Sequence, residues 1–208
     1  MAGENPADHG HRFVRRIPSA GLNAAGAPVN VKGIAANAAT SRLYVSTIIS
    51  LLCFDLATDR LLWEKTYEGG CDRLALTPDG QVIYLPSLEK DHWHVVNALT
   101  GDIITKIIPG SGAHNTIVGP DGKEAYLAGL KAPLLTVVDT ATQATRTVGP
   151  FTNFIRPFTV NGSQTKVFVN VNGLLGYEIG DLKTGKMLRR VEVVGFRSEE
   201  HTSELQSH

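Results

Sequence analysis

Five polar residues of this 208-residue chain have the types and spacing to do chemistry together: Asp72, Arg73, His114, Asn115 and Arg156. They stand at the starts of apolar runs, at corresponding places of a repeat and within about one residue of register. Two guanidinium groups beside an imidazole and a carboxylate can hold a carboxylate or a phosphate through charge-assisted hydrogen bonds. His114 is also a candidate general base. The plainer use of the same residues is to hydrogen-bond neighbouring units and line a hydrated opening. No base–nucleophile pair is identifiable, so a catalytic set is not assigned.

His92-Trp93-His94 is a second arrangement to weigh. On a strand, residues i and i+2 point to one face, so His92 and His94 could share a metal ion. No third ligand is suggested nearby, and the alternative is an exposed strand edge with polar side chains. The two cysteines, Cys53 and Cys71, make neither a disulfide framework nor a zinc set and read as small buried residues. Trp63 and Trp93 read as packing between units. Neither a metal nor a cofactor is called for.

The elements that must position these residues are short strands. Cys71–Gly112 holds four apolar runs, Leu74–Leu76, Val82–Leu85, His94–Val96 and Ile103–Ile108, separated by turn signals. Runs this short suit strands rather than helices. Thr77-Pro78-Asp79-Gly80 is a type I turn signal, and Asn97–Gly101 has hairpin-loop length. The unit recurs. An Asp or Asn followed three residues later by Thr occurs at Asp55, Asn97, Asp139 and Asp181, in steps of 42 residues. The side chain of such a residue accepts hydrogen bonds from the backbone just ahead of it. An aromatic residue repeats at Tyr44, Tyr84, Tyr126 and Phe168. The turn repeats as Gly119–Gly122 and as Val160–Ser163. A period of 40–45 residues with about four strands per unit marks a propeller blade.

The predicted fold is therefore all-β: a β-propeller with about four blades, an open partial ring of four-stranded antiparallel meanders. The blades are expected at about 31–70, 71–112, 113–152 and 153–195. Residues 1–30 form an N-terminal segment whose residues 11–18 resemble a closing outer strand. Residues 197–208 read as the in-frame translation of a common sequencing adapter, hence a non-native tail. Missing blades of a parent ring would then be partners of this chain. Lys plus Arg and Asp plus Glu are 20 each, so there is no basic field for nucleic acid. No apolar run approaches the roughly 20 residues of a membrane span, and no signal peptide is visible.

The unit resembles the Tyr-Val-Thr-Asn (YVTN) repeat β-propellers, of the lactonase-like and quinoprotein-like kind. Leu43–Thr47, Leu76–Gly80 with Ile83-Tyr84, and Val137–Thr142 carry the resemblance, which covers about 31–196. It implies seven blades and a periplasmic or extracellular home. The function expected is a ligand- or protein-binding face at the channel mouth, for a small anionic molecule or a protein partner. The alternative is a lactonase-like hydrolase or lyase acting there through His114 with Arg73 or Arg156.

Overall fold

The computed structural model describes residues 13, 15–17 and 29–193. Sixteen strands form four separate four-stranded sheets, each an antiparallel meander in chain order. The first sheet is β1 (Val31–Asn37), β2 (Arg42–Thr47), β3 (Ser50–Asp55) and β4 (Leu61–Thr66). The second is β5 (Ala75–Leu76), β6 (Val82–Pro86), β7 (Trp93–Asn97) and β8 (Ile103–Ile107). The third is β9 (Ala113–Val118), β10 (Glu124–Gly129), β11 (Leu135–Asp139) and β12 (Thr145–Val148). The fourth is β13 (Ile155–Val160), β14 (Lys166–Val171), β15 (Gly176–Asp181) and β16 (Met187–Glu192). Among the described residues there is no helix.

The repeated turns form as their chemistry dictates. Asp55 Oδ1 accepts from the backbone N–H groups of Ala57 and Thr58 at 2.9 and 2.8 Å. Asn97, Asp139 and Asp181 do the same for their own loops. These donors hold the Asp55, Asp139 and Asp181 carboxyls below their ordinary pKa. The turn between first and second strands closes on a left-handed residue: Ser41, Gly80, Gly122 and Gln164. In the fourth blade this turn is Asn161–Gln164, closed by a Gln164 N–H to Asn161 O bond of 2.8 Å. It is therefore displaced by one residue from the expected 160–163, because Gln164 rather than Gly162 takes the left-handed conformation.

The blades stack face to face in sequence order. The first–second core holds Tyr44, Leu51, Cys53, Ile83, Leu85 and Val96. The second–third core holds Tyr84, Trp93, Val95, Ala125, Leu127 and Val138. Tyr126, Leu135, Val137, Val167 and Val169 lie in the third–fourth core. The first three sheets bury both faces of their middle strands, which explains why those strands read as continuous apolar runs, whereas β14 alternates buried and partly exposed residues. The recurring tyrosine reaches into the next blade: Tyr44 Oη donates to Ala98 O at 3.1 Å and Tyr84 Oη to Gln143 Oε1 at 3.2 Å. Burial pushes the Tyr44 phenol up to about 12. Inner strands β1, β5, β9 and β13 touch in that order. Among the described residues, no contact of comparable extent joins the fourth sheet to the first, so the blades form an open arc.

Cys53 and Cys71 are both buried and unpaired. The tail 197–208 lies outside the described residues, as do residues 11, 12, 14 and 18 of the proposed closing strand. Arg15 donates from Nε to Asp59 Oδ1 at 2.9 Å, and Ile17 packs beside Val45, Leu52 and Phe54 on the outward face of the first blade.

Candidate functional site

The loop that enters β5 and the starts of β9 and β13 lie at corresponding ends of adjacent blades. Cys71, Ala113 and Ile155 are inward-packed core residues there, and the next residue in each blade is polar. Asp72, His114 and Arg156 follow at steps of 42 residues. The five residues singled out from the sequence form two sets of contacts, which Arg156 enters through its backbone oxygen and not its side chain. His114 Nδ1 lies 2.7 Å from Asp72 Oδ2, joining blades two and three. Arg73 donates from Nη1 to Asn115 Oδ1 at 3.2 Å across the same joint. Asn115 Nδ2 donates to the backbone oxygen of Arg156 at 3.3 Å, joining blades three and four.

The Asp72 carboxylate is almost wholly buried, and Ser46 Oγ donates to the Asp72 backbone oxygen at 2.7 Å. A carboxylate only accepts, so the proton of a neutral His114 sits on Nδ1 and the lone pair on Nε2. Nε2 takes no hydrogen bond from the described residues. Asp72 thus fixes both the ring and its tautomer, which is the arrangement a general base needs. Arg73 is exposed, and its second terminal nitrogen makes no hydrogen bond to the described residues.

Arg156 does not reach across to Arg73 or His114. Its Nε and Nη2 both donate to Asn172 Oδ1, at 3.1 and 2.9 Å, and its guanidinium lies 5.7 Å from the Phe154 ring centre. Asn172 and Phe154 were not among the residues expected from the sequence. Neither has a repeat signal, since Asn172 belongs to the β14–β15 loop of the same blade. Lys32 was also missed, although the repeat could have found it: it follows Val31 as Asp72 follows Cys71. Gly33 beside it packs on the Arg73 backbone, where a side chain would strike Leu74 N at 2.9 Å. With Lys32, the described residues at these positions along the arc carry three basic side chains, Lys32, Arg73 and Arg156, against the carboxylate of Asp72.

The histidine pair is not an exposed edge. His94 is fully buried and His92 nearly so, with their Nε2 atoms 3.1 Å apart. His94 Nε2 also lies 3.2 Å from Glu68 O. A carbonyl only accepts, so Nε2 of His94 carries the proton, shared between Glu68 O and the lone pair of His92. A metal held by both Nε2 atoms would force a proton onto His94 Nδ1, which is buried without a partner. The geometry therefore fits a hydrogen-bonded latch better than a metal pair. Among the described residues, no three His, Cys, Asp or Glu side chains are grouped to hold a metal ion.

A cleft of about 510 Å³ lies between blades three and four at the other end of the strands, lined by Asp121, Glu124, Arg146 and Gln164. It shares no residue with the inner-strand starts. Its charges are mixed, and Glu124 is already engaged by Arg146 and Tyr126.

These sheets and their stacking define a β-propeller chain. Its structure is similar to that of hydrazine synthase from Kuenenia stuttgartiensis, with a TM-score of 0.70 and 21% identity, over 78% of this chain and 49% of that one. It is also similar to the dihydro-heme d1 dehydrogenase NirN in complex with DHE, with a TM-score of 0.67 and 13% identity, over 83% of this chain and 41% of that one. Both are β-propeller proteins. The chain spans about half the length of these structures or less. At such identities the similarity shows the fold alone. No family model matches the chain, and no curated protein matches it.

Proposed function

We propose that this chain is a YVTN-type β-propeller repeat protein whose channel mouth binds a small anion, a carboxylate or a phosphate. One observation carries the reading: Asp72–His114 and Arg73–Asn115–Arg156 link three blades at one end of the arc and leave the cations outnumbering the carboxylate. Guanidinium groups suit such ligands because they present paired donors in a fixed plane. Titration calorimetry with inorganic phosphate and with succinate tests this. Arg73→Ala is expected to weaken binding by about tenfold, the worth of one charge-assisted bond. Wild-type protein that takes up neither probe sinks the proposal, and a protein ligand for the mouth would then be the reading left.

A second reading has its own observation, the free Nε2 of His114. In a lactonase-like hydrolase, Nε2 would take a proton from water as the water oxygen attacks the lactone carbonyl. The ring oxygen leaves on that carbonyl's collapse and is protonated from the imidazolium. Lactone turnover lost in His114→Ala supports this, and wild-type protein with no turnover overturns it. A redox role rests on fold kinship alone and is not adopted.

We also propose that a further blade covers the outward face of blade four. Phe168 stands there at the position where Tyr44, Tyr84 and Tyr126 are each covered by a following blade. The chain alone is expected to self-associate through this face. A monomer that melts in one cooperative transition counts against the proposal.

A further inference from the structure

One third-strand position recurs every 42 residues as Leu52, His94, Thr136 and Glu178. Each sits opposite the same second-strand position, Val45, Leu85, Leu127 or Val169, in an antiparallel pair. In blade one it is an apolar core residue. In the other three it is polar and buried, with His94 and Glu178 both at 0% exposure. A buried polar side chain is costly unless it is bonded, so its partner shows what it holds.

His94 donates to the backbone oxygen of Glu68, in the loop that leads from β4 into β5. Glu178 accepts from Thr152 N at 2.9 Å and from Thr152 Oγ1 at 2.6 Å, in the loop that leads from β12 into β13. Asp72 and Arg73 lie four and five residues beyond Glu68, and Arg156 lies four beyond Thr152. The same strand position thus grips two incoming loops just ahead of the charged residues they deliver. His94 is reinforced by Ser87, whose Oγ donates to Gly69 O at 3.1 Å.

We infer that His94 and Glu178 are positioning residues for the channel mouth, His94 setting Asp72 and Arg73, and Glu178 setting Arg156. The binding half of this inference rests on the anion reading above; the loop-anchoring half does not.

The His94 anchor answers to acid. Protonating His92 Nε2 would set two N–H groups against each other at 3.1 Å. Protonating His94 Nδ1 would create a buried donor with no acceptor. Glu68 draws a proton to both rings and Asp91 to His92, while Lys106 and, for His92, Lys90 oppose it. The Tyr67 ring packs 5.3 Å from His94. Burial dominates and holds both imidazoles below their ordinary range. The unfolded chain therefore takes up these protons first. The latch is intact above about pH 6.5 and weakens as the pH falls from there through the lower folded-state values. The Glu178 anchor contains no imidazole.

Hydrogen exchange of the full chain, read by mass spectrometry over residues 69–74 and 150–156, tests the anchoring without any ligand. Leucine already fills this position in blade one, so His94→Leu keeps a side chain the site tolerates. It is expected to speed exchange in 69–74 by about tenfold and leave 150–156 unchanged. Glu178→Leu does the reverse, and Glu178→Gln, which keeps an acceptor and a donor, restores most of the protection. Titration of inorganic phosphate against His94→Leu is expected to show affinity weakened by several-fold. If wild-type protein binds no phosphate, the anion reading fails while the exchange result still decides the anchoring. Unchanged exchange in 69–74, or an equal rise in both loops, overturns it. Should His94→Leu not fold, wild-type exchange corrected for intrinsic rate decides the matter. It must rise in 69–74 between about pH 7 and about pH 5; a flat profile there overturns the inference.

Discussion

Blades three and four present the same repeat position to very different surroundings. Tyr126 of blade three is fully buried, and its hydroxyl meets Glu124 Oε2 at 2.9 Å and Gln164 Oε1 of blade four at 3.2 Å. Phe168 of blade four, 42 residues on, is only partly covered and has Tyr177 of its own sheet 6.0 Å away. The channel mouth repeats the contrast. Asp72 and Arg73 are held by blade three, and the Arg156 backbone receives a bond from blade three, but the Arg156 side chain is held by Asn172 of its own blade. In a propeller, a residue's burial and bonding belong to the joint and not to the blade that carries it.

The largest expected effect tests that statement directly. Tyr126→Ala removes a fully buried ring from a joint and is expected to cost about 3–5 kcal/mol in denaturant unfolding. Phe168→Ala removes a similar ring from an open face, with an expected cost of about 1 kcal/mol. Equal costs would mean that blade four has its own closed core and that the contrast is wrong. The Tyr126→Phe variant sharpens the comparison, since it keeps the ring and removes one buried hydroxyl, for about 1 kcal/mol.

The same contrast explains what the sequence could show. The 42-residue period was legible because Asp55, Asn97, Asp139 and Asp181 act locally, each through backbone groups within three residues. The mouth was legible in part because Asp72, His114 and Arg156 share a phase of that period. Asn172 was not, because its bond to Arg156 joins two strands through a loop that does not repeat. The turn at Asn161–Gln164 misled for a related reason. A glycine at 162 looks like the left-handed residue, but the strand register assigns that conformation to Gln164, as it does to Ser41 in blade one. The histidine pair looked exposed because strand alternation alone does not show that the loop around Tyr67 and Glu68 folds over it.

A middle-sized effect separates binding from catalysis at the second joint. Asp72→Asn removes the carboxylate that holds His114 and loosens its ring, for about 1–3 kcal/mol of stability. If the mouth only holds anions, phosphate affinity is kept or improved, because one repelling charge is gone. If His114 works as a general base, turnover of a lactone falls by a factor of about ten or more while affinity does not. Calorimetry and rate measurement on one variant read both outcomes.

The smallest expected effect lies at Asn172. Its side chain holds Arg156 within one blade, so its loss cannot disturb a joint. Asn172→Ala is expected to cost about 1 kcal/mol or less of stability, since the guanidinium it releases can turn to water. Phosphate affinity is expected to fall by about threefold, because Arg156 then has to be ordered by the ligand itself. Asn172 also touches the loop that enters β13, since Asn153 Nδ2 donates to its backbone oxygen at 3.0 Å. That backbone bond survives the substitution. A large loss would therefore have to travel through Arg156, making the fourth blade's cation as much a part of the shared site as the cation set by the joint.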